Sequence, residues 1–276
     1  LIANDMALIT FLPLGYLALS STGKQKYMPF TFIMQNIAAN LGGMLTPFGN
    51  PQNLYLYGKF NIPTGEFTLI MLPPFAFSVL AIVLCCAAFV KPEALDLPEE
   101  KITLNKPRLF AYLALFSLAI LMVFRILPYY IGLVIVALGV FVLDCSALKK
   151  VDYALLFTFV FFFVFSGNMS RISAVRDLLS KLLAKNTLLV SVLSCQCISN
   201  VPSAILLSGF TDNYKALLLG VNIGGTGTPI ASLASLITLK EYTSRYPENA
   251  GKYLAMFSAF NFAFLIALTI FCSFLV

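Results

Sequence analysis

Residues 39–54 read ANLGGMLTPFGNPQNL and residues 221–236 read VNIGGTGTPIASLASL, so one Gly-Gly-x-x-Thr-Pro motif occurs twice. Each copy interrupts an apolar segment, and Gly and Pro weaken a helix interior by about 1 and 3 kcal/mol relative to Ala. In lipid, such a break is tolerated only where it is buried in protein or lines a cavity. One copy alone would fit close helix packing on small residues equally well. Two copies in corresponding halves favour two broken helices that form a transporter's binding site.

The composition is that of a membrane protein. The 276 residues are 59% hydrophobic and 11% charged, whereas an average soluble domain is about 25% charged. Several apolar runs approach or exceed the roughly 20 residues that a helix needs to span a bilayer. Lys and Arg are dispersed between these runs, which argues against a nucleic-acid partner. We therefore predict an all-α integral membrane protein that crosses the cell membrane several times, with the lipid bilayer as a partner.

Several residue types that enzymes depend on are missing. The sequence contains no His, and its six Cys show no Cys-x-x-Cys spacing. Without His there is no Ser-His pair, and Asp5 is the only acidic residue in an apparently intramembrane position, so no pair of carboxyl groups is expected there. The commonest metal ligand is also absent. We therefore expect a protein that is not an enzyme and has no cofactor, with Na⁺ or H⁺ as a coupling ion.

The chain divides at residues 91–108, the longest polar connection, which contains three Pro and mixed charges. We expect residues 1–90 to form a first repeat half, 91–108 a cytoplasmic linker, and 109–276 a second repeat half. The apolar runs predict spans or half-spans at residues 1–21, 27–45, 67–90, 109–127, 129–144, 153–166, 214–225 and 253–276.

Two segments of the second half have their own patterns. In residues 168–186, apolar side chains recur at helical spacing between charged ones, which predicts an amphipathic helix along the membrane interface. Residues 187–210 are apolar but are split by Ser-Asn-Val-Pro-Ser at positions 199–203. Each limb is too short to span a bilayer, so we predict a re-entrant hairpin with its tip at 199–203.

The hairpin tip has a weaker match near the start of the chain, where Asn4-Asp5 aligns with Asn200-Val201. On this alignment each half contributes a hairpin tip followed by a broken helix, which predicts an inverted repeat. About 90 residues of the second half precede its tip, and almost none precede the tip in the first half. We therefore expect the sequence to be N-terminally truncated, with roughly three spans and one hairpin limb missing.

Loop charges predict the orientation in the membrane. With the linker in the cytoplasm, eleven Lys and Arg fall inside and seven outside, as the positive-inside rule requires. The two Gly-Gly-x-x-Thr-Pro copies then run in opposite directions, as in an inverted repeat. The inner loops in this arrangement are 22–26, 91–108, 145–152 and 240–252.

Together these motifs resemble the ion transporter superfamily, which includes citrate and dicarboxylate carriers, arsenite permeases and NhaD-type sodium/proton antiporters. The resemblance covers nearly the whole chain and rests on the two tips and the two Gly-Gly-x-x-Thr-Pro copies. It implies two coupling-ion sites, each formed by a tip and a broken helix, with substrate between them. The binding residues it implies are Asn4, Asp5, Gly43, Thr46, Gly49, Asn50, Asn53, Ser199, Asn200, Ser203, Gly225, Thr226 and Thr228, with Na⁺ at Asn4, Asn50, Asn200 and Thr228.

The expected function is alternating-access transport of a small anion, of the citrate or dicarboxylate kind, coupled to Na⁺ or H⁺. Neither break contains Lys or Arg, so helix dipoles, hydroxyls and bound cations would balance the anion's charge, and a neutral solute fits as well.

Several alternatives stay open at this stage. Within the superfamily, the alternative is Na⁺/H⁺ antiport or arsenite efflux centred on Asp5, because Asn-Asp stands where the dicarboxylate carriers have Ser-Asn-Thr. Asp5 would otherwise only cap a helix. Asn261, in the last span, is expected to serve interhelical packing. From other classes, a channel or an intramembrane hydrolase is the alternative, and a second copy in a homodimer is an open option.

Overall fold

The computed structural model describes residues 4–91, 105–149, 151 and 153–276, which form α-helices, short 3₁₀ turns and loops without a strand. The predicted all-α class is confirmed. Most of the predicted linker, 92–104, and the first three residues lie outside the described residues. The α-helices are α1 (Asn4–Ser21), α2 (Met28–Gly42), α3 (Pro51–Lys59), α4 (Thr64–Phe89), α5 (Lys106–Val123), α6 (Tyr129–Lys149), α7 (Tyr153–Met169), α8 (Ser173–Ile198), α9 (Asn200–Leu207), α10 (Tyr214–Ile223), α11 (Leu233–Arg245) and α12 (Ala250–Ser273).

Five of the described helices are long and apolar enough to cross a membrane. Large apolar side chains such as Leu69 and Phe110 are exposed on them. Extended apolar surface of this kind is typical of contact with lipid. The protein is therefore a multi-pass integral membrane protein. The five candidate spans are Thr64–Phe89, Lys106–Val123, Tyr129–Lys149, Ser173–Ile198, which contains a kink at Asn186, and Pro247–Ser273.

The chain separates into two compact units, described here each by itself. One unit draws on residues 1–97 and 162–276 and contains both Gly-Gly-x-x-Thr-Pro copies. The other draws on residues 98–161, and in it α5 packs against α6. Arg108 and Asp144 form an ion pair between these two helices at 2.8 Å. The predicted division into two repeat halves stays a prediction.

The first break lies between α2 and α3. Helix α2 ends at Gly42, a 3₁₀ turn follows at Gly43–Leu45, and α3 begins at Pro51. Thr46 has an extended backbone with φ −120°. Pro is favoured at the first position of a helix, since the N–H that it lacks would have no helical partner there. The break is present as predicted. The sequence pattern predicts that it covers residues 46–53, but it ends three residues earlier because Pro51 starts the next helix.

The second break lies between α10 and α11. Apart from a 3₁₀ turn at Pro229–Ala231, the chain is irregular from the end of α10 to Ser232. Gly227 has φ +114°, which favours glycine because a side chain would be strained there. Ser232 caps α11, and its hydroxyl accepts the N–H of Ser235 at 3.1 Å.

The segment before the second break contains two further interruptions. Asn186 is a non-helical residue within α8, with φ −161°, and its Oδ1 accepts the N–H of Leu189 at 2.8 Å. It separates the predicted amphipathic helix from the predicted hairpin limb, as the sequence pattern requires. At the predicted tip, Ser199 has φ +73° between the end of α8 and the start of α9. The location of this tip within the membrane stays a prediction.

The core of the larger unit lies around α10, in which every residue from 216 to 223 is buried. A helix that is apolar on all sides is buried on all sides. Helix α10 packs against α3, α8, α9 and α12, and it also contacts α2. Helix α2 packs in addition against α1, α4 and α11. Helix α10 therefore ends in its break within the protein interior, whereas α2 ends at the exposed Gly42 and its break is only partly buried.

Candidate functional site

The first break is closed by one side chain, that of Asn53 in the first turn of α3. Its Nδ2 donates to the carbonyl oxygens of Gly43, Met44 and Thr46, each at 3.2 Å. These carbonyls lie where α2 ends and therefore lack helical partners. Asn53 is fully buried, so its amide supplies hydrogen bonds in a place that water does not reach.

Two glycines let the first break fold closely on itself. A methyl group at Gly49 would overlap the carbonyl oxygen of Gly43, and a methyl group at Gly43 would overlap Oδ1 of Asn50. A methyl group at Gly42, in contrast, would have no neighbour within 4 Å. The predicted site residues Gly43, Gly49 and Asn50 are therefore in direct contact.

The N-terminal tip meets the first break. The N–H of Asn4 donates to the carbonyl oxygen of Gly49 at 3.2 Å, and Asn4 is buried. Its Oδ1 accepts the N–H of Asp5 at 2.9 Å. In the second half, Oδ1 of Asn200 accepts the N–H of Val201 at the same distance. The two tips that align in sequence thus share one local geometry.

The second break is held by Gln196, from the last turns of α8. Its Nε2 donates to the carbonyl oxygens of Gly224 and Thr226 at 2.8 and 3.0 Å, and its Oε1 accepts the N–H of Thr228 at 2.8 Å. The Thr228 hydroxyl donates to the Gln196 carbonyl at 3.2 Å. One glutamine therefore satisfies three backbone groups that the break leaves without helical partners.

The two repeats use different residues for this closure. Ser235 aligns with Asn53 in the motif, but its hydroxyl is hydrogen-bonded to that of Ser232 at 2.9 Å. At the second break, the side-chain amide that binds the free carbonyls is that of Gln196, which lies outside the motif. Gln196 is not among the residues predicted from the sequence, because one polar residue in an apolar limb gives no signal without a repeat partner.

The second tip lies against the second break. Asn200 is buried, and its Nδ2 would be 3.0 Å from a methyl group placed on Gly225. Asn40, from the first repeat, approaches the same glycine, with its Oδ1 at 3.5 Å from that position. The remaining predicted residues bond nearby: Ser199 donates to the carbonyl of Ala231, Ser203 pairs with Ser194, and Thr226 donates to the carbonyl of Ile223.

Buried amide side chains join the two repeats. Oδ1 of Asn222 accepts from Nδ2 of Asn50 at 3.2 Å and from Nε2 of Gln52 at 3.5 Å. Nδ2 of Asn222 donates to Oδ1 of Asn53 at 2.6 Å. Nδ2 of Asn50 also donates to the carbonyl of Asn40 at 3.2 Å. We call these five residues the amide crossing. The crossing therefore joins two predicted residues of the first break, Asn50 and Asn53, to Asn222 of the second repeat. It contains none of the residues predicted for the second site.

A second polar cluster lies beside the amide crossing and is centred on Asn36. Its Nδ2 donates to Oγ of Ser235 at 3.4 Å and to Oδ1 of Asn261 at 3.3 Å. The Thr238 hydroxyl donates to Oδ1 of Asn36 at 3.4 Å. Asn261 thus joins α12 to α2, which agrees with the interhelical role expected for it. Asn36 was missed, because Leu218 occupies the matching position in the second repeat.

Three buried oxygens of the amide crossing have no hydrogen-bond donor among the described residues. They are Oδ1 of Asn40, Oδ1 of Asn50 and Oε1 of Gln52, and none of these residues is more than 2% exposed. An unpaired buried acceptor costs about 1–3 kcal/mol, so native structures leave few of them. Amide oxygens are ligands of hard cations. The donor set of the crossing therefore fits a cation better than an anion.

Asp5 places an acidic group beside the first break, next to Asn4. Its Oδ1 is buried without a donor among the described residues, and the adjacent Asn4 is hydrogen-bonded to Gly49. Across the described part of the chain, no Lys, Arg, Asp or Glu is fully buried. Apart from the partly buried carboxyl group of Asp5, the electrostatics of the site therefore depend on the partial charges of amide, hydroxyl and backbone groups.

Comparison with known proteins relates the chain to membrane transporters. A family model described as citrate transporter matches residues 1–214. The chain is 37% identical over 249 residues to an uncharacterized transporter of Methanocaldococcus jannaschii, an alignment that covers 87% of this chain and 66% of the relative. It is 31% identical over 251 residues to the inner membrane protein YbiR of Escherichia coli K12, with 88% and 66% covered.

The chain spans about two thirds of the length of these curated relatives. The family model covers more than half of the chain, including the first break and the second tip. The resemblance predicted from the motifs is thereby confirmed, and the chain belongs to the citrate transporter family of membrane transporters.

Proposed function

We propose that the protein is a secondary transporter that couples the movement of a small anion, of the citrate or dicarboxylate kind, to a cation that binds at the amide crossing. The observation that supports this most directly is the set of unpaired buried oxygens on Asn40, Asn50 and Gln52. The crossing contains side chains from both repeats, so a bound cation would affect how the two repeats fit together. Such a dependence is what alternating access between two repeats requires.

The same geometry limits which oxygens are available. The carbonyls at the first break already accept from Asn53, and two at the second break accept from Gln196. In this conformation the side-chain oxygens of the crossing are therefore the atoms available to bind a cation. The backbone carbonyls would become available only if the amide group that donates to them moved away. A cation at the crossing would in turn attract the substrate anion, because no Lys or Arg is buried in the described residues.

Solute counterflow tests the proposed function. The protein is reconstituted in liposomes loaded with one candidate anion, and uptake of the labelled anion is measured with Na⁺, with a proton gradient, or with neither. Citrate or a dicarboxylate should exchange only when its coupling ion is present. Equal uptake of neutral and anionic solutes, independent of both ions, would contradict the proposal and favour a channel.

Asn40→Ala is expected to weaken cation binding. The substitution removes one unpaired oxygen, and a hydrogen bond or contact with a charged partner contributes about 1.5–3 kcal/mol. The cation concentration for half-maximal uptake should therefore rise by about tenfold or more. Substrate affinity should fall as well through linkage, by a coupling of about 1–3 kcal/mol. High cation concentration should partly restore uptake.

Asn261→Ala is the matched control, because Asn261 is a buried asparagine whose amide is fully hydrogen-bonded. It should lower the melting temperature of the purified protein while leaving the cation dependence of uptake unchanged. If Asn40→Ala behaves in the same way as this control, Asn40 has a structural role and is not a cation ligand.

A second candidate function is supported by Asp5. A carboxyl group with a buried, unpaired oxygen beside the first break is suited to exchange a proton. On this reading the protein exchanges Na⁺ for H⁺, or exports a neutral solute such as arsenite, with Asp5 as the titrating group.

Asp5→Asn separates the two candidates. The substitution keeps the size of the side chain and removes the carboxylate, so an exchanger centred on Asp5 should lose pH-dependent Na⁺ transport. An anion carrier that uses the amide crossing should retain uptake with a modest change in affinity. The measurement is the quenching of a pH-sensitive dye in Na⁺-loaded liposomes, run beside anion counterflow. Unchanged uptake with an unchanged pH dependence would remove Asp5 from the mechanism and leave it as a helix cap.

A further inference from the structure

The first part of α8, residues 173–185, has an exposed face that is both apolar and basic. Two leucines on this face are 58% and 40% exposed, and two lysines are exposed beside them. Each of the four lies three or four positions from two of the others, so they are neighbours on the helix surface. The opposite side of the helix packs on the protein, where Leu183 is buried. We call the four residues the basic patch: they are Leu178, Lys181, Leu182 and Lys185.

The charge of the basic patch is not balanced within the protein. Among the described residues, neither of its lysines takes part in an ion pair. Asp177 is the one acidic residue of the stretch 168–186, and its carboxylate lies 3.9 Å from Nε of Arg176. That stretch also contains Arg171, so four basic residues oppose one acidic residue. Lysines four positions apart repel each other and destabilise a helix, so an anion beside them would relieve the repulsion.

The apolar half of the basic patch indicates a lipid partner. The protein is an integral membrane protein, and a bend at Asn186 separates the patch from the apolar limb 187–198 of the same helix. On a helix at the membrane interface, exposed leucines enter the acyl-chain layer while lysines extend their ammonium groups to the headgroups. A soluble anion, in contrast, would leave both leucines exposed to water.

The predicted orientation adds a second observation. Loop charges put seven Lys and Arg outside, and four of them lie within residues 168–186. The positive-inside rule disfavours basic residues on that side. This stretch is therefore where the chain departs most from the rule, and an acidic partner at the outer surface of the membrane accounts for the departure.

We propose that the basic patch binds acidic phospholipids of the surrounding bilayer through their headgroups. The lysines supply charge complementarity, and the leucines supply contact with the acyl chains. Residues 173–185 continue through Asn186 into the limb that carries Gln196, so the bound lipids fix the start of that limb. They thereby support the hydrogen bonds by which Gln196 holds the second break.

A tryptophan reporter tests the proposal, because the chain contains no Trp. Leu178→Trp places a fluorophore in the basic patch, and the full chain is reconstituted in liposomes of equal amounts of phosphatidylcholine and phosphatidylglycerol. In one sample the phosphatidylglycerol carries brominated acyl chains, and in the other the phosphatidylcholine carries them. Bromine quenches only nearby tryptophan. We expect stronger quenching by the brominated acidic lipid, with an affinity about fivefold or more above that of the neutral lipid.

Lys181→Gln/Lys185→Gln, made in the reporter protein, should abolish this preference, so that both brominated lipids quench equally. Both lysines are exposed, so the variant should melt in neutral lipid at the temperature of the reporter protein or higher, because a like-charge pair has been removed. Added salt should weaken the preference of the reporter protein, since exposed charges are screened.

Lys59→Gln/Lys215→Gln is the control for charge, because it removes the two other lysines that loop charges put outside. It should retain the preference. Leu69→Trp, at an exposed position of α4, is the control for location and should be quenched equally by both lipids. Equal quenching of Leu178→Trp by both lipids, quenching by neither, or an undiminished preference in the double lysine variant of the patch would overturn the proposal.

Discussion

Replacing Gln196 with Met is expected to destabilise the second break and to abolish transport. Met keeps the length and volume of the side chain, so the change isolates the hydrogen bonds. It leaves the carbonyls of Gly224 and Thr226 and the N–H of Thr228 without their present partners. Each unpaired group costs about 1–3 kcal/mol, so a total loss of about 3 kcal/mol or more is expected.

The free energy expected for these hydrogen bonds is larger than that of an average side-chain hydrogen bond in a membrane protein. Side-chain hydrogen bonds between transmembrane helices average about 0.6 kcal/mol, because the separated helices find other partners. The partners of Gln196 are backbone groups of a broken helix in a half-buried place, where fewer alternative partners are within reach. The measurement is the melting temperature in detergent together with uptake in liposomes.

Gln35→Met is the matched control for Gln196→Met. Gln35 is a glutamine within a helix whose side chain makes one backbone hydrogen bond, from Nε2 to the carbonyl of Phe11 at 3.0 Å. It should lower the melting temperature much less and leave uptake largely intact. If both variants melt and transport alike, Gln196 does not hold the second break.

Gly49→Ala is expected to have the second large effect. The added methyl group would overlap the carbonyl oxygen of Gly43, which is a backbone atom and therefore has no rotamer to move into. Overpacking typically costs about 1–3 kcal/mol, and a backbone obstacle favours the upper end of that range. Relief requires that the first break open, which would separate Gly49 from the N–H of Asn4. We expect a lower melting temperature and loss of uptake.

Gly42→Ala is the matched control, because Gly42 directly precedes Gly43 in the same chain segment. It is helical, and a methyl group there would meet no atom within 4 Å. Alanine should be tolerated or even stabilise α2 by up to about 1 kcal/mol. The same melting and uptake measurements apply. Wild-type behaviour of Gly49→Ala would show that the break has more room than the close approach of Gly43 and Gly49 indicates.

The sequence was sufficient for the parts of the fold that depend on local signals. Both breaks, the tip at Ser199 and the interruption at Asn186 follow from Gly, Pro and Asn in apolar segments. The main error of position, at the end of the first break, came from treating residues 51–53 as part of it. Pro51 is a helix-start signal, and it could have corrected the boundary.

The contacts within the site depend on tertiary packing, so they were harder to predict from the sequence. The repeat aligns Asn40 with Asn222, but neither residue is among those that the resemblance implies for binding. It gave no indication of Gln196 or Asn36, which have no polar counterpart in the other repeat. The pairing of Asn50 with Asn222 joins residues far apart in the chain, and no periodicity in a single sequence reports such a distance.

The unequal closures of the two breaks have a consequence for the transport cycle. Asn53 lies on α3, directly after the first break, whose carbonyls it binds. If this segment moves as a unit, these hydrogen bonds move with it. Gln196 lies on α8, outside the segment that contains the second break. A shift of α8 relative to α10 would therefore break the hydrogen bonds from Gln196 to the carbonyls of Gly224 and Thr226. Two copies of one motif are thus held in different ways, the first by a residue of its own segment and the second by a residue of a neighbouring helix.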